Sequence, residues 1–137
     1  MSEFRFYTKL DQTILLGIKA RNVLGLLEGI RKVPEAAIYH HTHRFLQQHH
    51  YLSPEPPNDF AYWVTHVLGD NALGERLWSV DIVQFPSIAE LREKFVAILE
   101  AHLAAKKRRT DCFPGEEFHF MASKTFWPVA CFNQFGV

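Results

Sequence analysis

The sequence predicts an α+β fold that is predominantly helical, with about five helices and a small sheet from N- and C-terminal strands. Aromatic and polar residues alternate near both ends of the chain, in residues 3–7 and 117–120, which is typical of strands. Between them, from residue 19 to residue 105, apolar residues recur at helical spacing. A chain of 137 residues can bury a core of its own, so we expect one domain over residues 1–137.

The two terminal strand segments, 3–8 and 117–130, share the pattern Glu-Phe-basic-Phe, and their simplest arrangement is to pair or to lie in one small sheet. Residues 11–17 are ambiguous between a loop and a second short strand. A two-stranded ribbon alone is marginal in water. The sheet is therefore expected to lean on the helices or on a partner chain.

The first predicted helix covers residues 19–32 and contains two glycines four residues apart, Gly25 and Gly29. Each costs up to about 1 kcal/mol relative to alanine inside a helix. Either a neighbouring element packs very closely against that face, or the helix is weak there. A second helix follows Pro34 over residues 35–50, because proline suits a first helical turn.

The remaining helices carry capping signals. Asn58 or Asp59 caps a helix over residues 58–68, and Asp70 or Asn71 caps a short one that ends near residue 78. The segment 87–90, Ser-Ile-Ala-Glu, is a capping box that opens a helix to about residue 105.

Composition excludes several classes of protein. Fifteen basic residues balance fifteen acidic ones, and 47% of the residues are apolar, which argues against a disordered chain and a dedicated nucleic-acid binder. The basic run 106–109 follows a helix and is expected to be a solvated helix end. No apolar run approaches the length of a membrane span, and residues 1–5 do not resemble a secretion signal. Cys112 and Cys131 form no Cys-x-x-Cys pair, so neither a disulfide framework nor a cysteine-based zinc site is indicated. From these observations together we expect a cytoplasmic protein without nucleic-acid or membrane partners.

Five of the eight histidines lie in the predicted helix 35–50. Helical geometry places His49 on its apolar face, where we expect a buried, neutral imidazole with one ring nitrogen hydrogen-bonded. His40, His43 and His50 fall on the opposite, polar face, and His41 lies at the boundary.

The polar-face histidines are candidate metal ligands. His40 and His43 are three residues apart, so both rings can reach one divalent ion. A further ligand is expected from a second element, with His66, Asp59 and His102 as the candidates. The alternatives are a solvated polar face that happens to use histidine, or a proton sensor. No zinc-binding spacing favours the metal site, and no cofactor is otherwise indicated.

No catalytic motif is present: phosphate-binding glycine loops and a nucleophile elbow are both missing from the sequence. We therefore expect a non-enzymatic binding or regulatory module that acts through protein–protein contacts, with a homodimer as one form of such contact. A histidine-based metal protein or metal-dependent enzyme is one alternative. A small-molecule sensor with a pocket between helices 35–50 and 58–68 is another. The candidate interface residues are the aromatic ones near the C-terminus, Phe118, Phe120, Phe126, Trp127, Phe132 and Phe135.

Two segments carry a resemblance to a known family. These are the paired-histidine segment Tyr-His-His-Thr-His at 39–43 and the helix start Asn-Asp-Phe-Ala-Tyr-Trp at 58–63. With the Leu-Gly-Asp of residues 68–70, they resemble a family of uncharacterised prokaryotic proteins, over residues 4 to about 105. The resemblance implies a small, mostly helical bacterial cytosolic protein, and it brings no catalytic residues.

Overall fold

The computed structural model of the protein describes residues 10–45, 58–105 and 110–126. These residues form five α-helices and one antiparallel pair of strands, which confirms the mostly helical α+β fold. In chain order, the elements are β1 (Leu10–Ala20), α1 (Val23–Lys32), α2 (Glu35–Tyr39), a π-helical turn (His40–Arg44), α3 (Asp59–His66), α4 (Asn71–Trp78), a 3-10 turn (Ile82–Gln84), α5 (Ile88–Ala105) and β2 (Phe118–Phe126).

The strands β1 and β2 pair in two regular stretches separated by a bulge. Residues 10–15 pair with residues 126–121, and residues 19–20 pair with residues 119–118. The extra residues lie on β1, where Gly17 adopts a positive φ of 78°, a conformation that glycine reaches without strain. The ambiguous segment 11–17 is therefore part of a strand. The predicted strand 3–8 lies outside the described residues.

The first helix begins at Val23, so its predicted start at residue 19 is wrong. Lys19 and Ala20 are still paired with β2, and the side chain of Asn22 caps the helix by accepting a hydrogen bond from the Gly25 backbone. At Gly29 a neighbouring element does pack very closely against the helix, as the first of the two interpretations predicts. A Cβ at that position would lie 2.2 Å from a ring carbon of Phe120.

The capping predictions for the later helices are confirmed. Asn58 caps α3 by accepting from the Ala61 N–H, and Asp70 caps α4. The Ser87 hydroxyl accepts from the Glu90 N–H at the start of α5. Buried Asn58 also donates to the Leu77 carbonyl, so one side chain joins the start of α3 to the end of α4.

The core lies between the helices and the inner face of β2. Its largest buried side chains are Phe60, Phe95, Phe120, Leu26, Ile30, Ile38, Leu73, Leu77, Leu91 and Leu99. Among the described helices, none combines the length and the apolar composition that a membrane span requires.

Candidate functional site

The paired-histidine segment forms a π-helical turn rather than a regular continuation of α2. The Phe45 N–H donates to the carbonyl of His40, five residues back, which is the hydrogen bond of a π-helix. Within this turn, the Thr42 hydroxyl donates to the Ile38 carbonyl of α2, a contact that bends helices. The predicted helix 35–50 is thus α2 followed by the π turn as far as Arg44, and residues 46–50 lie outside the described part.

His41 is the buried centre of this turn, with 1% of its surface exposed. Its Nδ1 lies 2.8 Å from a carboxylate oxygen of Asp59, and its Nε2 lies 3.0 Å from the Met121 backbone nitrogen. Because Met121 donates, Nε2 must carry a lone pair, so the ring proton is on Nδ1 and is donated to Asp59. The ring is therefore neutral and both of its nitrogens are occupied.

Three phenylalanine rings enclose the His41 imidazole. The ring centroids of Phe118, Phe60 and Phe120 lie 4.7, 5.5 and 5.9 Å from it. The hydrogen bond to Asp59 also joins the two segments that carry the family resemblance, 39–43 and 58–63. His41 therefore positions the π turn against both α3 and β2.

The hydrogen bond from Met121 to His41 fixes which way the strands face. In an antiparallel pair, residues alternate between those bonded to the partner strand and those whose N–H and C=O groups point away from it. The backbone N–H of Met121 points away from β1 and donates to His41. Ser123, two residues on, has the same orientation, and its hydroxyl contacts the Nδ1 of His40. His41 therefore occupies the outward N–H of Met121, and His40 contacts the Ser123 side chain beside it.

The same alternation defines the outer edge of β1. Leu15 lies opposite Met121, and Thr13 lies opposite Ser123. The backbone N–H and C=O groups of residues 11, 13 and 15 therefore point away from β2. No strand among the described residues pairs with that edge. We call residues 10–15 of β1 the open edge.

The open edge carries exposed apolar side chains at one end and no charged residue between residues 12 and 18. Leu15 is 62% exposed and Ile14 is 37% exposed, whereas Ala20, beyond the bulge, is buried. Residues 12–18 contain no charged side chain. The C-terminal end of β1 thus packs near α1. At its other end, the side chains of residues 12–15 are all exposed.

The predicted metal ligands His40 and His43 have separate surroundings. Burial lowers the pKa of His40 to about 4. The His43 ring stacks on Tyr39 with centroids 5.6 Å apart. Burial also lowers the pKa of His43, although a hydrogen bond to the Ile82 backbone opposes that shift.

The further candidate ligands Asp59 and His66 do not join them in one cluster. Asp59 bonds to His41, and the exposed His66 ring lies 4.5 Å from the ring of Tyr62. In the part of the chain that the structure describes, no three His, Cys, Asp or Glu side chains are grouped to hold a metal ion. Among the described residues, the rings of His41 and Phe60 lie 5.5 Å apart between the π turn and α3, where the sensor pocket was predicted.

Two of the predicted interface residues have an intramolecular role. Phe118 and Phe120 are buried in the chain's own core, because they occupy the inner face of β2 against the helices. Phe126 ends β2, and its side chain is not described. Trp127, Phe132, Phe135 and the predicted buried His49 lie outside the described residues.

Sequence reasoning missed His41 and Leu15. Helical geometry alone placed His41 at a boundary between faces, although its position between Ile38 and Phe45 was a signal of burial. Leu15 lies in the short apolar run 14–18, whose strand character was left ambiguous.

Together, the fold and the site define a mostly helical α+β protein with a buried histidine–aspartate pair and a small sheet that is open on one side. Residues 1–129 match the model of a family of unknown function, DUF5752, and the chain belongs to that family. This confirms the resemblance to an uncharacterised family.

Among solved structures, the chain is similar to OrfY from Thermoproteus tenax, with 26% sequence identity and a TM-score of 0.72. The match covers 87% of this chain and 53% of the OrfY chain, so this chain spans about half the length of OrfY. A comparison with curated proteins gives no match.

Proposed function

We propose that the protein is a non-enzymatic binding module that acts through protein–protein contacts, with the open edge of β1 as its contact surface. The observation that carries this proposal is the alignment of outward-facing backbone groups at residues 13 and 15 with the exposed side chains of Ile14 and Leu15. An exposed apolar strand edge is a template for another strand. Adding an extended segment to such an edge is a common mode of peptide recognition.

The chemistry of the paired histidines supports a binding role over a catalytic one. A general base needs an accessible lone pair within reach of a substrate proton. The Nε2 lone pair of His41 is taken by the Met121 N–H, and the Nδ1 proton is taken by Asp59. This pair acts as a structural support for the sheet.

The proposal is tested by selecting displayed random peptides on the wild-type protein and measuring their affinity for two variants. Leu15→Glu places a charge on the open edge. Val83→Glu is the matched control, because Val83 is 66% exposed but lies in the 3-10 turn, outside the sheet.

We expect the selected peptides to bind Leu15→Glu about tenfold or more weakly, and to bind Val83→Glu as they bind the wild type. If the selected peptides bind Leu15→Glu unchanged, or if no peptides are selected on a wild type that light scattering shows to be monomeric, the open edge is not the contact surface and the proposal is wrong.

A further inference from the structure

We infer that the strand that occupies the open edge is β1 of a second copy of this chain, antiparallel, with Thr13 on the two-fold axis. This inference rests on the proposed function and names the partner of the same surface. The observation behind it is that the outward-facing backbone groups, those of residues 11, 13 and 15, are symmetric about residue 13. A reversed copy therefore presents the same groups at matching positions.

In this register every outward-facing residue finds an equivalent partner. Thr13 faces Thr13 of the second copy, and residue 11 faces residue 15 of that copy. Each of these facing residues exchanges an N–H and a C=O hydrogen bond, as hydrogen-bonded antiparallel pairs do. The regular ladder ends at the Gly17 bulge, which limits the pairing to residues 10–15 and so fixes the register.

The charge pattern of β1 also suits self-pairing. Residues 12–18 are uncharged, so the two copies meet at the axis without like-charge repulsion. Asp11, the acidic residue of this segment, is paired in register with Leu15 of the second copy and not with its own equivalent. The two acidic positions are therefore separated at opposite ends of the contact.

The resulting sheet has the strand order β2–β1–β1–β2. It has four strands instead of the two of a single copy. Its outer edges are both β2, where the Met121 N–H is already bonded to His41. Each copy uses its open edge in the contact, so the contact is isologous and the assembly stops at two copies.

The test measures molar mass by light scattering over a range of concentrations. We expect the wild type and the control Val83→Glu to be dimers. We expect Leu15→Glu to have half that mass, because the new carboxylate then faces Asp11 of the second copy. Adding Asp11→Lys to Leu15→Glu turns that repulsion into attraction and is expected to restore the dimer.

A second pair of variants tests the backbone contact itself. Thr13→Pro removes the outward N–H on the axis and is expected to give a monomer with unchanged circular dichroism, since proline is tolerated on an edge strand. Thr13→Val keeps the N–H and is expected to remain a dimer.

A wild type that is monomeric at every concentration overturns the inference. So does a dimer that survives both Leu15→Glu and Thr13→Pro. If the monomer still binds selected peptides in a Leu15-dependent way, the proposed function stands and only the identity of the partner is wrong. If it binds no such peptide, both fall.

Discussion

The imidazole of His41 and the carboxylate of Asp59 are joined by a hydrogen bond of 2.8 Å from Nδ1 to a carboxylate oxygen. The other ring nitrogen accepts from the backbone of β2, so a single buried side chain connects the π turn, α3 and the sheet. Its position shows that the outward N–H of Met121 on β2 already has a partner within the chain.

Replacement of His41 tests the importance of this connection. His41→Ala leaves the Met121 N–H and a carboxylate oxygen of Asp59 without a partner and opens a cavity among three aromatic rings. We expect a loss of about 3 kcal/mol in the free energy of unfolding, measured with urea. Asp59→Asn keeps an acceptor for the Nδ1 proton and is expected to cost only about 1 kcal/mol. Equal losses for the two variants would contradict this assignment.

The tautomer of His41 can be observed directly. We expect nitrogen-15 NMR to show a neutral ring with its proton on Nδ1, because Nε2 accepts from the Met121 amide. A ring protonated on Nε2 is incompatible with that hydrogen bond, and its observation would contradict the assigned partner of the Met121 N–H.

The lowered pKa of His40 predicts a dependence of stability on pH. In the unfolded chain the ring takes up a proton as the pH falls through 6.5, whereas in the folded chain it does so near pH 4. The unfolded state therefore binds more protons between these values, and stability falls as the pH is lowered from about 6.5 to 4.

His40→Gln is expected to flatten this part of the profile, measured as the unfolding midpoint in urea at a series of pH values. His43, whose pKa is also lowered, is expected to contribute in the same direction, so the double variant His40→Gln with His43→Gln should be flatter still. A wild-type slope in the double variant would refute the assignment.

Gly29 tests the close approach of α1 to the sheet. A methyl group there would overlap the Phe120 ring, so Gly29→Ala is expected to destabilise the protein by about 1–3 kcal/mol despite the better helix propensity of alanine. Gly25→Ala in the same helix is the control, because its Cβ would lie 3.3 Å from Ala20. We expect a smaller loss there, and the reverse order would show that the packing is misassigned.

Asn58 tests the junction of α3 and α4. Asn58→Ala removes both the cap of α3 and the buried hydrogen bond to Leu77, and we expect a loss of about 2–3 kcal/mol in thermal or urea unfolding. Asn58→Ser keeps a capping oxygen but cannot reach as far as Leu77. An intermediate loss is expected for it, whereas a loss equal to that of alanine would show that the cap contributes nothing.

The sequence predicts those features that depend on near neighbours along the chain. The caps at Asn58 and Ser87 are examples, because each hydrogen bond spans three residues and its signal lies in the residues themselves. The alternation that predicts the start of β2 is equally local, since Phe118 and Phe120 share one face of a strand whatever they pack against.

The candidate site is different, because long-range contacts create it. His41 bonds to Met121, eighty residues away, and no helical periodicity predicts that partner. The bond from Met121 to His41 shows which backbone groups of β2 point outward, and the register then identifies the outward groups of β1. Leu15 is consequently exposed although its sequence neighbours are apolar, and only the pairing of β1 with β2 identifies its backbone as outward-facing.

Amide hydrogen exchange at residues 13, 15 and 121 tests the role of the open edge most directly. We expect the Met121 amide to exchange slowly at every protein concentration, because His41 accepts its hydrogen bond within the chain. The amides of Thr13 and Leu15 should exchange rapidly in dilute protein and become protected as a second strand occupies the edge. If both stay unprotected under all conditions, including saturation with a selected peptide, β1 does not bind a strand and the proposed contact surface is wrong.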